Sequence, residues 1–378
     1  MTLFKLIKVE LHAIFTNPAI ILTVFGGVIF YSFLYPLPYS QQTPQEQSIT
    51  VVNLDKSLTS YQLERMVDAT PQVKIVTHAN SIEQAKQQFF TGQVRGILVI
   101  PTNFYRDLLL GKSPTLSYAG DASYFLVYGT IAEGLSQAGG TLAAKAKVTQ
   151  LLSNGVPLSQ AQQQYSQVKV NLKPTFNPTI GYINYVVPAV FVLILQQTLI
   201  IGLGLMGCSE KSEFGYWVQQ STFKILATRT LIFVSIYYLM SGYYFGFSFD
   251  FYGINKLASP LILIALLAPF LLTSSFIGIC LGVLMPRKEW VTVFVLFSSM
   301  PLVFSAGFIW PLESVPLPLI WLTNLFPCTP AIQSFLSINQ MGADFSQITT
   351  QWQLLWLQVL IWGIIAFILY RRKQSQFI

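Results

Sequence analysis

Residues able to do chemistry are sparse in this sequence, and none stands in a catalytic arrangement. Gly202-Leu203-Gly204-Leu205-Met206-Gly207 matches G-x-G-x-x-G. A dinucleotide site needs a strand before such a run, a helix after it and an acidic residue about 20 positions on. Here the run closes a long apolar segment and Lys224 stands near the acid's place, so glycines that let helices approach closely are the better reading. There is no G-x-x-x-x-G-K-[ST], hence no P-loop; a process driven by ATP and magnesium would bind both in another chain. His12 and His78 lie far apart with no Cys or His partner at ligand spacing, which argues against a metal site. No G-x-S-x-G elbow appears, and neither histidine is placed to serve as a base. These absences predict a chain that is not an enzyme and holds no cofactor of its own.

The elements that carry these residues are membrane segments. The chain has 378 residues, of which 53% are hydrophobic and 10% charged, with a mean hydropathy of +0.54; soluble domains carry roughly a quarter charged residues. Apolar runs near 19–38, 182–206, 225–247, 258–284, 290–310 and 353–370 are each long enough to cross a hydrocarbon core roughly 30 Å thick. The net charge of +7 does not form a nucleic-acid patch. Lys5 and Lys8, then Lys211, Lys224 and Arg229, then Arg287 and Lys288, then Arg371, Arg372 and Lys373 mark alternate span borders. The positive-inside rule then puts both termini in the cytosol, and residues 39–180 on the other side. The run around Tyr35-Pro36-Leu37-Pro38 has no small-x-small cleavage site, so residues 18–38 read as a retained span.

Residues 1–17 place Leu3, Leu6, Ile7, Leu11 and Ile14 at helical spacing, which describes an amphipathic helix on the cytosolic membrane surface, ending at Asn17-Pro18; the alternative is an extension of the first span. The block 39–180 alternates strand-like runs, "SITVVNL", "VKIVTHA" and "RGILVIP", with helical ones, "SLTSYQLERMVDA" and "SIEQAKQQFF", and predicts an α/β domain ending in a longer helix over about 123–153. Beyond it, residues 181–378 hold spans two to six. A short aromatic loop, "FGFSFDFYG", follows span three, and the tight "MPRKEW" predicts that spans four and five form a hairpin. Residues 311–350, interrupted by prolines, read as re-entrant or interfacial helices. The three cysteines lie in or beside the membrane and imply no disulfide framework.

Two sets of residues are candidates for function. The loop 207–224, "GCSEKSEFGYWVQQSTFK", is longer than a turn requires. Its charges Glu210, Lys211 and Glu213 predict a solvated cytosolic position, and Phe214, Tyr216 and Trp217 offer aromatic anchors for a partner. Within the spans, ionisable residues are nearly absent, which argues against proton or ion coupling. Gln196, Gln197 and Thr198, Thr273, Ser274 and Ser275, and Ser298, Ser299 and Ser305 either bond helix to helix or line a path for an amphiphilic or apolar cargo.

In its layout the whole chain resembles the permease subunits of ABC-2 type exporters that carry a large extracytoplasmic domain between spans one and two. "VVNLDKSLTS" and "GILVIPTNFYRDLLLGK" are similar to that family's outer domain. "FNPTIGYINYVVPAV" is similar to its entry into span two, and "AGFIWPLESVPLPLIWLTNLFPCTPAI" to its segment after span five. Glu210, Glu213 and Gly215 match the family's coupling helix, whereas Ser209 stands for the usual Arg and Tyr216 for Thr. The resemblance implies a polytopic α-helical membrane protein that pairs with itself or a paralogous permease in a bacterial inner membrane. It would bind cytosolic ABC ATPase subunits through Glu210, Lys211, Glu213, Phe214, Gly215, Tyr216 and Trp217, and could work beside a periplasmic adaptor protein. The residues alone leave two alternatives open, an ATP-independent transporter or channel and a receptor or scaffold whose outer domain binds a partner.

Overall fold

The computed structural model describes residues 1–39, 44–164, 175–177, 181–210 and 215–376. Its internal contacts divide the chain into two compact units, Gln41–Pro174 and the combination of Met1–Ser40 with Thr175–Ile378.

The second of these units is helical. Six of its helices are long and apolar enough to cross a membrane, namely Pro18–Tyr39, Val186–Ser209, Thr222–Tyr252, Pro260–Leu284, Lys288–Ser305 and Phe345–Ser375, here spans one to six. A surface helix, Leu3–Phe15, precedes them. Asn17 separates it from span one by accepting from the Ala19 amide at 3.1 Å, with Pro18 in the first helical position. The buried stripe of the surface helix is Leu6, Glu10 and Ile14, while Leu3 is exposed.

Span two is the axis of the unit and is buried along nearly its whole length. Its glycines explain how its neighbours reach it. A Cβ on Gly202 would lie 2.7 Å from Val24 of span one, one on Gly204 would overlap Val291 of span five, and one on Gly207 would lie 2.9 Å from the Gly282 Cα of span four. Each glycine thus admits a different helix, which is the packing role expected of small residues in lipid. The expected hairpin of spans four and five does not form as a packed pair. Span four runs along spans two and six, and span five leans on span two. The backbone approach at Gly207 and Gly282 draws span four to span two more strongly than the short connection draws it to span five.

A second departure is the aromatic segment after span three, which is helical as far as Tyr252 and stops where Gly253 turns with φ +65°. Its rings account for this. Tyr244 stacks on Phe191 of span two at 4.0 Å, and Phe245 meets Phe335 at 4.3 Å, so tertiary packing carries the helix past its apolar run. After span five the chain breaks into short helices, Leu317–Thr323 and Cys328–Phe335, before Asp344 and Gln347 cap the entry to span six.

The other unit is α/β. Strands β1 (Gln47–Asn53), β2 (Val73–His78), β3 (Gly96–Ile100) and β4 (Ser117–Gly120) form a sheet in the order β2-β1-β3-β4. β1 pairs parallel with β2 and β3, and β4 closes the edge antiparallel to β3. Ile49, Val51, Leu98 and Ile100 pack against Leu63, Val67 and the long helix Phe125–Ser153, while Val52 and Ile97 meet Ala85 on the opposite face. Burial on both faces suits the Val- and Ile-rich parallel strands. At the end of β1, Asn53 donates to Glu64 (2.6 Å) and Ser60 (2.9 Å), and Glu64 also meets the His78 ring at 3.0 Å.

Candidate functional site

A buried cluster of charges lies where span two ends and the loop to span three begins. Glu10 of the surface helix is fully buried, and Arg229 of span three is 1% exposed. The guanidinium grips Glu10 side-on, Nε donating to Oε2 at 3.0 Å and Nη2 to Oε1 at 2.9 Å. The same Nη2 donates to Oε1 of Glu210 at 2.5 Å. Glu210 caps the end of span two and takes two more partners from span six, the Tyr370 hydroxyl at 3.0 Å and the Lys373 ammonium at 3.3 Å. Lys373 also donates to the Gly207 carbonyl at 2.7 Å and sits 5.0 Å from the Trp217 ring centre.

The loop joins the cluster from the other side. Tyr216 donates its hydroxyl to Glu10 at 3.1 Å, and Gln374 of span six donates to the Trp217 carbonyl at 2.6 Å. Burial raises the Tyr216 phenol above its ordinary range; Arg229 opposes that shift, while Glu10 and Glu210 add to it, so Tyr216 stays a donor. Two carboxylates and two cations leave the cluster electrically neutral, which is the condition for keeping four charges out of water. Each carboxylate is engaged by a cation and a phenol hydroxyl, so the arrangement acts as a mechanical joint. It bolts the surface helix, the end of span two, the loop, span three and span six at one place.

Two expectations need correction here. Arg229, counted among the charges between spans two and three, lies inside span three, where Glu10 and Glu210 neutralise it. Glu210 is likewise buried and paired, and Trp217 is 2% exposed, so neither presents itself to solvent. Gly215 and Tyr216 are half-buried, and Gln219 is exposed. Lys211, Glu213 and Phe214 fall outside the described residues. Sequence reasoning missed Glu10 as a site residue, although a carboxylate at the centre of the Leu6–Ile14 stripe was a usable signal.

The polar residues of the spans mostly answer to their own helices. Thr198 donates to the Ile194 carbonyl, Ser298 and Ser299 to Val295, Ser274 and Ser275 one turn back, and Ser305 to Pro301, while Thr273 reaches Leu355 of span six. Gln196 and Thr198 are enclosed by protein. Gln197 differs, since its amide donates to Ser299 at 2.6 Å and links span two to span five.

Compared with known protein families, the chain matches the model described as ABC-2 family transporter protein over residues 18–368, which takes in all of spans one to five, the α/β unit and most of span six. The chain belongs to the ABC-2 transporter family. A search of curated proteins found no match. As an ABC-2 family member it is a multi-pass membrane component of a transporter, and the buried cluster is a joint inside such a component.

Proposed function

We propose that this ABC-2 family protein is the permease subunit of an ATP-driven exporter, energised by a separate cytosolic ATPase that docks on the loop 207–224. The carrying observation is the ion cluster, because it ties that loop to the surface helix and to spans three and six. A push on the loop then moves several helices as one body. The alternation of basic span borders supports a cytosolic loop and an extracytoplasmic α/β unit, in a bacterial inner membrane. The family resemblance supports pairing with a second permease, identical or paralogous, and an adaptor protein on the far side. Weakly polar span surfaces favour an amphiphilic or apolar cargo, with Gln197 and Ser299 the first candidates for its path and Gln196, Thr198, Ser298 and Ser305 beside them.

For docking to switch the permease, the ATPase must bind its two states with different affinity. In this reading Lys211, Glu213, Phe214 and Gly215 make that contact, with the exposed Gln219 after them in the loop. The test is co-purification with an ABC ATPase subunit co-expressed with the permease. Gly215→Val and Glu213→Ala should lower ATPase recovery and transport without loss of membrane insertion. Undiminished recovery and transport in both variants would refute docking at this loop, and transport that persists without any ATPase would favour the ATP-independent alternative.

A further inference from the structure

Span six carries the ion cluster near its end, through Tyr370 and Lys373, and lines a groove along the turns before it. Spans three, four and six enclose an apolar groove of about 580 Å3, within the roughly 300–1,000 Å3 of small-molecule sites. Ala227 and Gly363 leave it open, and Phe223, Phe276 and Phe367 line it. Gly363 lets the Phe276 ring come close, since a Cβ there would lie 3.3 Å from it.

The stripe of span six that faces this groove runs through Leu360, Ile364 and Phe367. At 3.6 residues per turn Arg371 continues the stripe one turn further, beyond the groove's end. Arg371 is exposed, and no ion pair or hydrogen bond among the described residues engages its guanidinium. Its basic neighbours are placed differently. Lys373 turns to Glu210, Lys224 donates to the Met1 carbonyl at 2.5 Å, and Arg372 points about a quarter turn or more away from the stripe.

We infer that the groove and Arg371 together bind one anionic phospholipid, an acyl chain lying between spans three, four and six and the phosphate on Arg371. Attraction between surfaces within lipid comes from van der Waals packing, so a concave apolar channel gains contacts with a single chain that a convex helix face cannot. A guanidinium at the span's end supplies what selects the headgroup, because it matches two phosphate oxygens at once. A second copy of the chain has a broader apolar face available on span five, where Phe297 and Met300 are exposed. The lipid would hold spans three and six together beside the cluster formed by Arg229 and Lys373.

Native mass spectrometry of the full-length chain in detergent, titrated with phosphatidylglycerol or with phosphatidylcholine of the same acyl chains, tests this. Wild type should retain one phosphatidylglycerol at concentrations where phosphatidylcholine is lost. Arg371→Ala should weaken phosphatidylglycerol binding about fivefold, the factor contributed by one basic side chain near a bilayer surface, and leave phosphatidylcholine unchanged. Ala227→Phe, or the smaller Ala227→Leu, should weaken both lipids, and Arg372→Ala neither. Equal losses from Arg371→Ala and Arg372→Ala would overturn the site in favour of a diffuse basic border. Unchanged binding in both Ala227 variants would show that no chain enters the groove. A lipid-free dimer broken by Ala227→Leu would assign the groove to a second copy instead.

Discussion

Replacing Arg229 with methionine removes one cation from a neutral cluster and leaves two carboxylates behind. Glu210 would keep Lys373 at 3.3 Å and Tyr370 at 3.0 Å, whereas Glu10 would keep Tyr216 at 3.1 Å and nothing charged. Deleting one partner of a buried ion pair costs about 3–5 kcal/mol, and an arginine that serves two acids belongs in the upper half of that range. About 4 kcal/mol is roughly a thousandfold in the ratio of folded to unfolded protein. Glu10→Leu leaves Arg229 with Glu210 and should cost less, about 2 kcal/mol, the scale of a hydrogen bond to a charged group. The double variant removes one charge of each sign, and apolar replacement of a whole buried pair is often neutral or stabilising. The single costs sum to about 6 kcal/mol, so the double variant should fall short of additivity by at least about 2–3 kcal/mol. Unfolding by sodium dodecyl sulfate in mixed micelles, followed by tryptophan fluorescence, measures all four corners of the cycle. Additivity within about 0.5 kcal/mol would refute the joint.

Lys373→Met should cost less than Arg229→Met in the same assay, because Glu210 retains Arg229 and Tyr370; a larger loss would make Lys373 the principal counter-charge. Gly207→Val forces a side chain against the Gly282 backbone and should destabilise by about 1–3 kcal/mol or more, read as a lower midpoint and reduced yield of monodisperse protein, whereas Gly140→Val in the α/β unit meets nothing within 4 Å and serves as its control. Asn53→Ala strips Glu64 of its 2.6 Å donor and should loosen β1 and its neighbouring helix, seen as faster amide hydrogen exchange there with spans two and four unchanged. Burial pushes the Tyr118 phenol up to about 12. Its contribution to stability should be complete below pH 10 and fade as pH rises from 10 towards 12, and Tyr118→Phe should flatten that decline in protease resistance of the α/β unit.

Spans and strands were legible in the sequence because each rests on a local property. Runs of apolar residues exceed the bilayer thickness, and "VVN", "KIV" and "ILVI" are bounded by turn residues. β4 escaped notice because it has four residues and exists through its edge pairing to β3. The cluster escaped for a different reason. Glu10 and Arg229 are 219 positions apart, and each, taken alone, looks like an interfacial charge that water would solvate. Only the meeting of the surface helix with span three turns two costly burials into one neutral contact. Arg229 nonetheless lies eight positions after the Ser221 cap, whose hydroxyl accepts from the Lys224 amide. A cap so far before an arginine places that arginine inside the helix, and this was readable in advance. The glycine run was also legible as packing, but which helix each glycine receives depends on three crossings that no local pattern encodes.

Those crossings bear on motion. A zipper of interlocking side chains along two helices resists both sliding and turning, since many knobs would have to leave their holes together. Spans two and four are held differently, backbone against backbone over more than one turn, with Gly278 against Ile200 and Leu203 and Gly282 against Gly204 and Gly207. Sliding either helix drives a bulky residue into those gaps, and tilting one on the other opens one end of the seam. Spans two and four are therefore built to travel as one beam, and rearrangement falls to spans one and five, which meet that beam through the Val24 and Val291 side chains.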